Sequence, residues 1–163
     1  MVLNQDFREF IGLLNEKNVK YLVVGGYAVA YHGYPRYTKD IDLWIWLDRE
    51  NAEKVVEALR EFGFDSLGIQ VEDFLAPENV IQLGYPPARI DLLTDLSGLD
   101  FEDCYPKREA TNIEDTTINF IDVDSLIKTK LATKRPQDLI DADKLKEGKR
   151  ETRPKLRKND PYV

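Results

Sequence analysis

The sequence predicts an α/β (α+β) protein in which helices flank a central mixed β-sheet and further helices follow at the C-terminal end. Two observations favour this class. Short apolar runs with the alternation of strands are interleaved with segments whose apolar residues recur every three or four positions. The chain also has 163 residues, of which 42% are hydrophobic and 33% charged, as in an ordinary globular domain. This length is enough to bury a core between a sheet and its helices.

The first half of the chain is predicted to alternate helices with strands. The apolar run "KYLVV" indicates a buried strand that ends at Gly25-Gly26, and Asp48 is expected to cap a helix that ends at Gly63. In order, the expected elements are a helix over 4–15, a strand over 20–24, a short helix over 27–33, a strand over 40–47 and a helix over 50–62.

The second half is predicted to contain two pairs of strands followed by two helices. A turn at Pro86-Pro87 separates the first two strands. Asp124 is expected to cap the next helix, and the last helix is expected to begin at Pro136 and to end at Gly148. In order, the expected elements are strands within 79–96, a hairpin over 110–122, a helix over 125–134 and a helix over 136–148.

Charge and composition exclude several classes of function. The net charge of −7 argues against a broad polyanion-binding surface, and the one dense basic stretch runs from Lys144 to Lys158. Single copies of cysteine, Cys104, and of histidine, His32, exclude a disulfide framework and a Cys/His zinc site. The sequence shows neither the pattern of a signal peptide nor a membrane span. We expect a cytoplasmic protein with no membrane partner, made of a domain at 1–147 and a basic, extended or mobile tail at 148–163.

Two aspartates share one face of the strand "DIDLWIWL". Strand alternation places Asp40, Asp42, Trp44 and Trp46 on one side, so the aspartates do not lie on a simple solvated face. A divalent cation would neutralise such a pair with oxygen ligands. An exposed pair at the start of a strand is the alternative, and the Asp-x-Asp pattern alone does not exclude it.

A glycine pair and two cations lie close to these aspartates in the chain. Gly25 and Gly26 begin a strand-to-helix turn whose backbone N–H groups could hold a phosphate, although a tight turn would use the same residues. Arg36 and Lys39 could pair with phosphate oxygens. A metal-binding pair beside a phosphate cradle indicates one ligand, a metal-bound nucleoside triphosphate.

A third carboxylate comes from the later strand "PARIDLLTD". Alternation places Arg89, Asp91, Leu93 and Asp95 on one face. Asp91 lies between apolar neighbours in the chain, which is costly unless the carboxylate has a use. It would complete a two-metal site. The alternative is an edge-strand residue that faces solvent.

Three segments, "VVGGYAVAYHG", "RYTKDIDLWI" and "ARIDLLT", together resemble the nucleotidyltransferase superfamily with the polymerase-β-like fold. The order Gly-Gly, Asp-x-Asp and then a third aspartate on a later strand is the superfamily's signature. The form of the motif is similar to the small prokaryotic nucleotidyltransferases of the toxin–antitoxin type. With the helical segment "LIKTKLATKRPQDLIDADKL", the resemblance covers residues 19–147.

The resemblance implies transfer of a nucleoside monophosphate from an NTP, such as ATP, to an acceptor hydroxyl with release of pyrophosphate. It implies that Asp40 and Asp42 are ligands of Mg²⁺, with Mn²⁺ as the alternative ion, and that Asp91 is the third catalytic and metal-binding carboxylate. It also implies that Gly25 and Gly26 form the phosphate-holding turn.

Further nucleotide contacts, and the partners, follow from the same resemblance. Arg36 and Lys39 lie where the superfamily's basic residues approach the triphosphate or the acceptor. Lys130 is a further contact for the triphosphate, or else belongs to a solvated helix face. The acceptor is an RNA such as tRNA, a protein or a small molecule, and a cognate toxin or antitoxin is a further expected partner. The alternative function is a non-catalytic nucleotide-binding or toxin–antitoxin interaction module.

Overall fold

The chain folds into a layer of strands with helices packed on it, as seen in a computed structural model that describes residues 3–34, 37–85 and 88–159. The strands in these ranges are β1 (Tyr21–Val24), β2 (Ile41–Ile45), β3 (Val80–Leu83), β4 (Ile90–Leu93), β5 (Glu109–Ile113) and β6 (Thr116–Phe120). The α-helices are α1 (Gln5–Glu16), α2 (Gly25–Tyr31), α3 (Arg49–Phe62), α4 (Phe101–Cys104), α5 (Val123–Thr133) and α6 (Pro136–Asn159).

The strands form one mixed sheet in the spatial order β3-β4-β2-β1-β6-β5. Strand β2 runs antiparallel to β1 and parallel to β4, while β3–β4 and β5–β6 are antiparallel pairs. The register places Asp42 beside Val24 on one side and beside Asp91 on the other. The predicted α/β class with a central mixed sheet is confirmed, and the three strands expected to carry the site lie side by side.

The core lies on both faces of the central strands. All four residues of β1 are buried, which requires cover on each face of the sheet. Asn4 caps the N-terminus of α1, and Asp48 caps that of α3. Gly63 caps the C-terminus of α3, and its φ of 99° is the left-handed conformation common at helix ends. The buried face of α1 consists of Phe7, Phe10, Ile11 and Leu14.

Three expectations about helix ends are wrong. Helix α2 begins at Gly25 itself rather than at residue 27. Helix α5 is capped by Asp122, whose side chain accepts a hydrogen bond of 3.1 Å from the Ser125 N–H, whereas the expected cap, Asp124, lies inside the first turn and pairs with Lys149.

Helix α6 continues through Gly148, where its end was expected, to Asn159. One interior glycine costs a helix only about 1 kcal/mol, and the lysines, the arginines and Glu151 that follow are good helix formers, although Pro154 is not. The expected extended conformation is therefore wrong for residues 149–159, while the expected mobility stays a prediction. The domain boundary at residues 147 and 148 stays a prediction. The expected turn at Pro86-Pro87 and the last residues, 160–163, lie outside the described residues. Within the described ranges, no helix has an apolar stretch long enough to cross a bilayer.

Candidate active site

The predicted carboxylates lie together at the start of two adjacent interior strands of the sheet. Asp42 and Asp91 are direct neighbours on the parallel strands β2 and β4, and Asp40 lies immediately before β2. Asp91 is only 7% exposed and Asp42 is partly buried. Three side chains from two distant segments thus lie together, as a shared function requires.

The pKa of the Asp42 carboxyl is strongly raised in the metal-free protein. Burial raises its pKa from the ordinary 3.8 to about 7, and the charge of Asp91, a hydrogen bond with Asp91 and the charge of Asp40 act in the same direction. Lys130 opposes this shift from α5. The metal-free site therefore disfavours the ionised form of Asp42.

The glycine pair lies against the aspartates. Gly25 has a φ of 68°, and a Cβ atom there would lie 2.1 Å from Oδ2 of Asp42. A Cβ on Gly26 would lie 2.8 Å from Oγ1 of Thr38, which donates a 3.1 Å hydrogen bond to the carbonyl of Asp40. Both glycines therefore permit a close approach of α2 to the Asp-x-Asp segment, which a tight turn alone would not require.

Arg89 lies within the carboxylate cluster, and sequence analysis assigned it no role. Its Nη2 is 3.0 Å from Oδ2 of Asp40 and 3.1 Å from Oδ2 of Asp91, and its Nε is 2.8 Å from Oδ1 of Asp91. This is a bidentate pair with Asp91 that also reaches Asp40. Strand alternation had placed Arg89 on the same face as Asp91, so the signal was present in the sequence.

The donor set of the cluster suits a divalent cation. Oδ1 of Asp40 is buried and has no hydrogen-bond partner among the described residues. Carboxylate oxygens are the ligands that Mg²⁺ and Mn²⁺ prefer. In the part of the chain that the structure describes, no three His, Cys, Asp or Glu side chains are arranged to hold a metal ion. Asp40, Asp42 and Asp91 fit such an ion by the chemistry of their oxygens, one of which, Oδ1 of Asp40, is buried without a hydrogen-bond partner among the described residues.

A cavity of about 350 Å³ opens beside Asp42. Gly25 and Asp42 line one side, and helices α5 and α6 contribute Thr129, Lys130 and Asp138 to its lining. Nζ of Lys130 is 3.0 Å from Oδ1 of Asp138, and it also pairs with Asp141 of α6. Oγ1 of Thr129 is buried and has no hydrogen-bond partner among the residues described. Lys130 thus lies at the site, as the sequence suggested, but in an ion-pair network.

The other predicted cations are less closely placed. Lys39 is exposed in the loop before Asp40, and Arg36 lies outside the described residues. His32 has a structural contact, because its Nε2 is 2.7 Å from the carbonyl oxygen of Ile121. Trp44 is buried and packs edge-on against Phe101.

An acidic groove adjoins the cavity beside Asp42. It comprises two further cavities, of about 470 and 380 Å³, which share Asp95 with the cavity beside Asp42. The second of them has Trp44, Trp46 and Phe101 in its lining. Sequence analysis did not single out this groove, whose carboxylates are Glu78, Asp95, Asp100, Glu102 and Asp103.

A protein-family model matches the N-terminal half of the chain. Residues 6–92, just over half of the 163 residues, match the model of the aminoglycoside-2''-adenylyltransferases. The match includes the glycine pair and all three aspartates. No curated protein sequence matches the chain at a significant level.

Solved structures with a similar fold include two nucleotidyltransferases. One, a protein of Thermotoga maritima described as a nucleotidyltransferase, is 19% identical with a TM-score of 0.55, and the match covers 93% of this chain and 88% of that one. The lincosamide antibiotic adenylyltransferase LnuA, solved with lincomycin bound, is 16% identical with a TM-score of 0.52, over 89% of this chain and 97% of that one. At these identities the likeness shows the fold, and it confirms the predicted nucleotidyltransferase fold.

Proposed function

The chain belongs to the aminoglycoside-2''-adenylyltransferase family and is a nucleotidyltransferase, and from this premise we propose that it transfers AMP from Mg²⁺-bound ATP to a hydroxyl group of a small cationic acceptor. The observation that carries the proposal is the juxtaposition of Asp42 and Asp91 on parallel strands, with Asp40 beside them and Gly25 packed against Asp42. The family supports a nucleotide donor and an acceptor; the ion and the acceptor class are our inference.

The three aspartates would hold the divalent cation. When bound there, it supplies Lewis acidity and neutralises charge on the phosphoryl oxygens. Asp42, whose pKa is raised by burial and by the charges of Asp91 and Asp40, would be ionised when it holds the cation.

The reaction needs a base and an in-line geometry. The acceptor oxygen forms a bond to the α-phosphorus, and the bond from that phosphorus to the bridging oxygen of pyrophosphate breaks. Pyrophosphate leaves with the electron pair of the broken bond. We assign the acceptor's proton to Asp91, whose carboxylate is held in a fixed orientation by Arg89.

Nucleotide binding is assigned to the residues around the cavity beside Asp42. The backbone at Gly25 and Gly26 would contact the phosphates, and Lys130 would reach the triphosphate by exchanging its contacts with α6. Lys39 and Arg36 would add charge from the loop before β2. Each of these assignments extends the sequence-based prediction.

The acceptor class follows from the acidic groove. A groove lined by carboxylates attracts ammonium groups and repels the phosphates of RNA, which makes an RNA acceptor less favourable. Its aromatic lining can pack against the apolar faces of sugar rings. Transfer to an aminoglycoside, as the family's name describes, is consistent with both features. The likeness to an enzyme that binds lincomycin supports a small-molecule acceptor in the same way.

An experiment with labelled nucleotides tests the proposal. The protein would be incubated with each α-³²P-labelled NTP, Mg²⁺ and, separately, aminoglycosides, total tRNA or a cell extract. We expect label on a cationic small molecule with ATP as donor. Label on tRNA or on a protein would show that the acceptor is that macromolecule and not a cationic small molecule. Nucleotide binding with no transfer to any of these would favour the non-catalytic module.

A further inference from the structure

Arg89 already occupies the place of a cation in the carboxylate cluster. Its guanidinium contacts both oxygens of Asp91 and Oδ2 of Asp40 at distances between 2.8 and 3.1 Å. We propose that Arg89 is an exchangeable counter-ion, which neutralises the cluster in the metal-free protein and releases Asp40 when a divalent cation binds. This inference rests on the proposed function, since it concerns the same metal site.

The geometry of the metal-free cluster argues for exchange rather than for simple coexistence. Arg89 draws Oδ2 of Asp40 and both oxygens of Asp91 towards its own donors. The other oxygen of Asp40, Oδ1, is left buried without a hydrogen-bond partner among the described residues. No metal-ligating arrangement of three side chains is present in those residues. The contacts of Arg89 thus engage oxygens of Asp40 and Asp91 that a divalent cation would need.

Arg89 can move away from Asp40 by a rotation of its side chain, without a shift of its backbone. The carbonyl of Arg89 accepts a 3.0 Å hydrogen bond from the Ile41 N–H, which fixes the backbone at the start of β4. The side chain is partly exposed, with 26% of its surface accessible, so it has a route towards solvent. Asp91 is 7% exposed and cannot follow it. The bond to Asp40 is monodentate, and it is therefore the contact that is lost most easily.

Charge gives the direction of the effect. A guanidinium within about 3 Å of two ligands repels a divalent ion that binds to the same oxygens. Removing this charge should tighten metal binding and, at the same time, leave the metal-free cluster without its neutralising partner. A purely structural arginine predicts the opposite, because its loss would scatter the ligands and weaken metal binding.

Four proteins test the proposal: wild type, Arg89→Gln, Arg89→Lys and the control Arg8→Gln. The control removes the same charge from an ion pair with Glu114, in the turn between β5 and β6. Mn²⁺ affinity would be measured at pH 8 from the EPR signal of the unbound ion. We expect Arg89→Gln to bind Mn²⁺ about tenfold more tightly than wild type and Arg8→Gln to match wild type. The melting temperature of Arg89→Gln should fall in EDTA and rise more than that of wild type on adding Mn²⁺.

A spectroscopic measurement on the wild type keeps the proposal testable if Arg89→Gln does not fold. The ¹⁵N–¹H signal of the Arg89 Nε, identified by its loss in Arg89→Lys, should shift during a Mg²⁺ titration with the midpoint of metal binding. An unchanged signal at saturating Mg²⁺, or metal affinity that is unchanged or weaker in Arg89→Gln, would overturn the inference and leave the proposed function standing. Absence of metal binding in wild type would overturn both.

Discussion

Replacing Asp42 by asparagine should stabilise the metal-free protein at alkaline pH. The substitution keeps the size of the side chain and removes the charge that burial and the neighbouring Asp91 disfavour. The pKa of Asp42 is raised from 3.8 to about 7. At about 1.4 kcal/mol per pH unit, ionised Asp42 therefore lowers the free energy of unfolding by at most about 4 kcal/mol. Because Asp42 is partly exposed, solvent screening reduces this value, and we expect a gain of about 2 kcal/mol.

The sign of the pH dependence follows from proton binding. Below the ordinary pKa of 3.8, Asp42 is protonated in both the folded and the unfolded state and contributes no difference. Between that value and about 7, the folded state retains a proton that the unfolded state has lost, so stability falls as the pH rises. Above a pH of about 7, Asp42 is ionised in both states and the full destabilisation of the folded state is present. The advantage of Asp42→Asn should therefore be small at pH 4.5 and full at pH 8.

Urea unfolding in EDTA at these two pH values is the assay, with Asp65→Asn, an exposed aspartate that follows α3 in the chain, as the matched control. Addition of Mg²⁺ should then stabilise wild type more than Asp42→Asn, because the variant has lost a ligand charge. The reasoning is refuted if Asp42→Asn is equal to wild type, or less stable, at pH 8 in EDTA.

Three further predictions concern the glycine turn, the loop before β2 and the acidic groove. Gly25→Ala should abolish nucleotidyl transfer because the added Cβ would clash with Asp42. The control Gly63→Ala adds a Cβ in open space at a φ of 99°, so it should cost about 1 kcal/mol of stability and leave activity intact. Loss of activity in both variants would contradict a role for the clash. Lys39→Gln should weaken ATP binding more at low than at high salt, and equal affinity at every ionic strength would show that Lys39 only solvates its loop. Asp100→Asn should raise KM for a cationic acceptor about threefold and leave KM for ATP unchanged, and steady-state kinetics that show the reverse would remove the groove from acceptor binding.

The sequence predicted that Asp42 and Asp91 lie together because a carboxylate within an apolar strand is costly to bury. Asp42 and Asp91 interrupt apolar strands, and buried charges of this kind need a partner. Their neighbourhood on parallel strands then followed from the requirement that they act together. The glycine pair was predicted as a phosphate turn, and the structure adds that Gly25 is required for space beside Asp42.

The remaining features depend on tertiary contacts that a linear pattern does not show. Arg89 was recorded on the correct face, but its two partners include Asp40, which comes from a different strand segment. The acidic groove combines segments that are distant in the chain. Helix ends were missed because Asp122 and Asp124 are equally good caps by composition, and because Gly148 is only a weak helix breaker next to strong helix formers.

The central claim, that Asp42 and Asp91 catalyse nucleotidyl transfer, is tested most directly by pyrophosphate release. Release from ATP would be measured with Mg²⁺ and an aminoglycoside or extract acceptor for wild type, Asp42→Asn, Asp91→Asn and Asp65→Asn. We expect acceptor-dependent release by wild type and Asp65→Asn, and a loss of about three orders of magnitude in both site variants, while the unfolding transitions show that they are folded. Wild-type rates in Asp42→Asn and Asp91→Asn would contradict the account, because the carboxylates would then be ordinary residues of their strands.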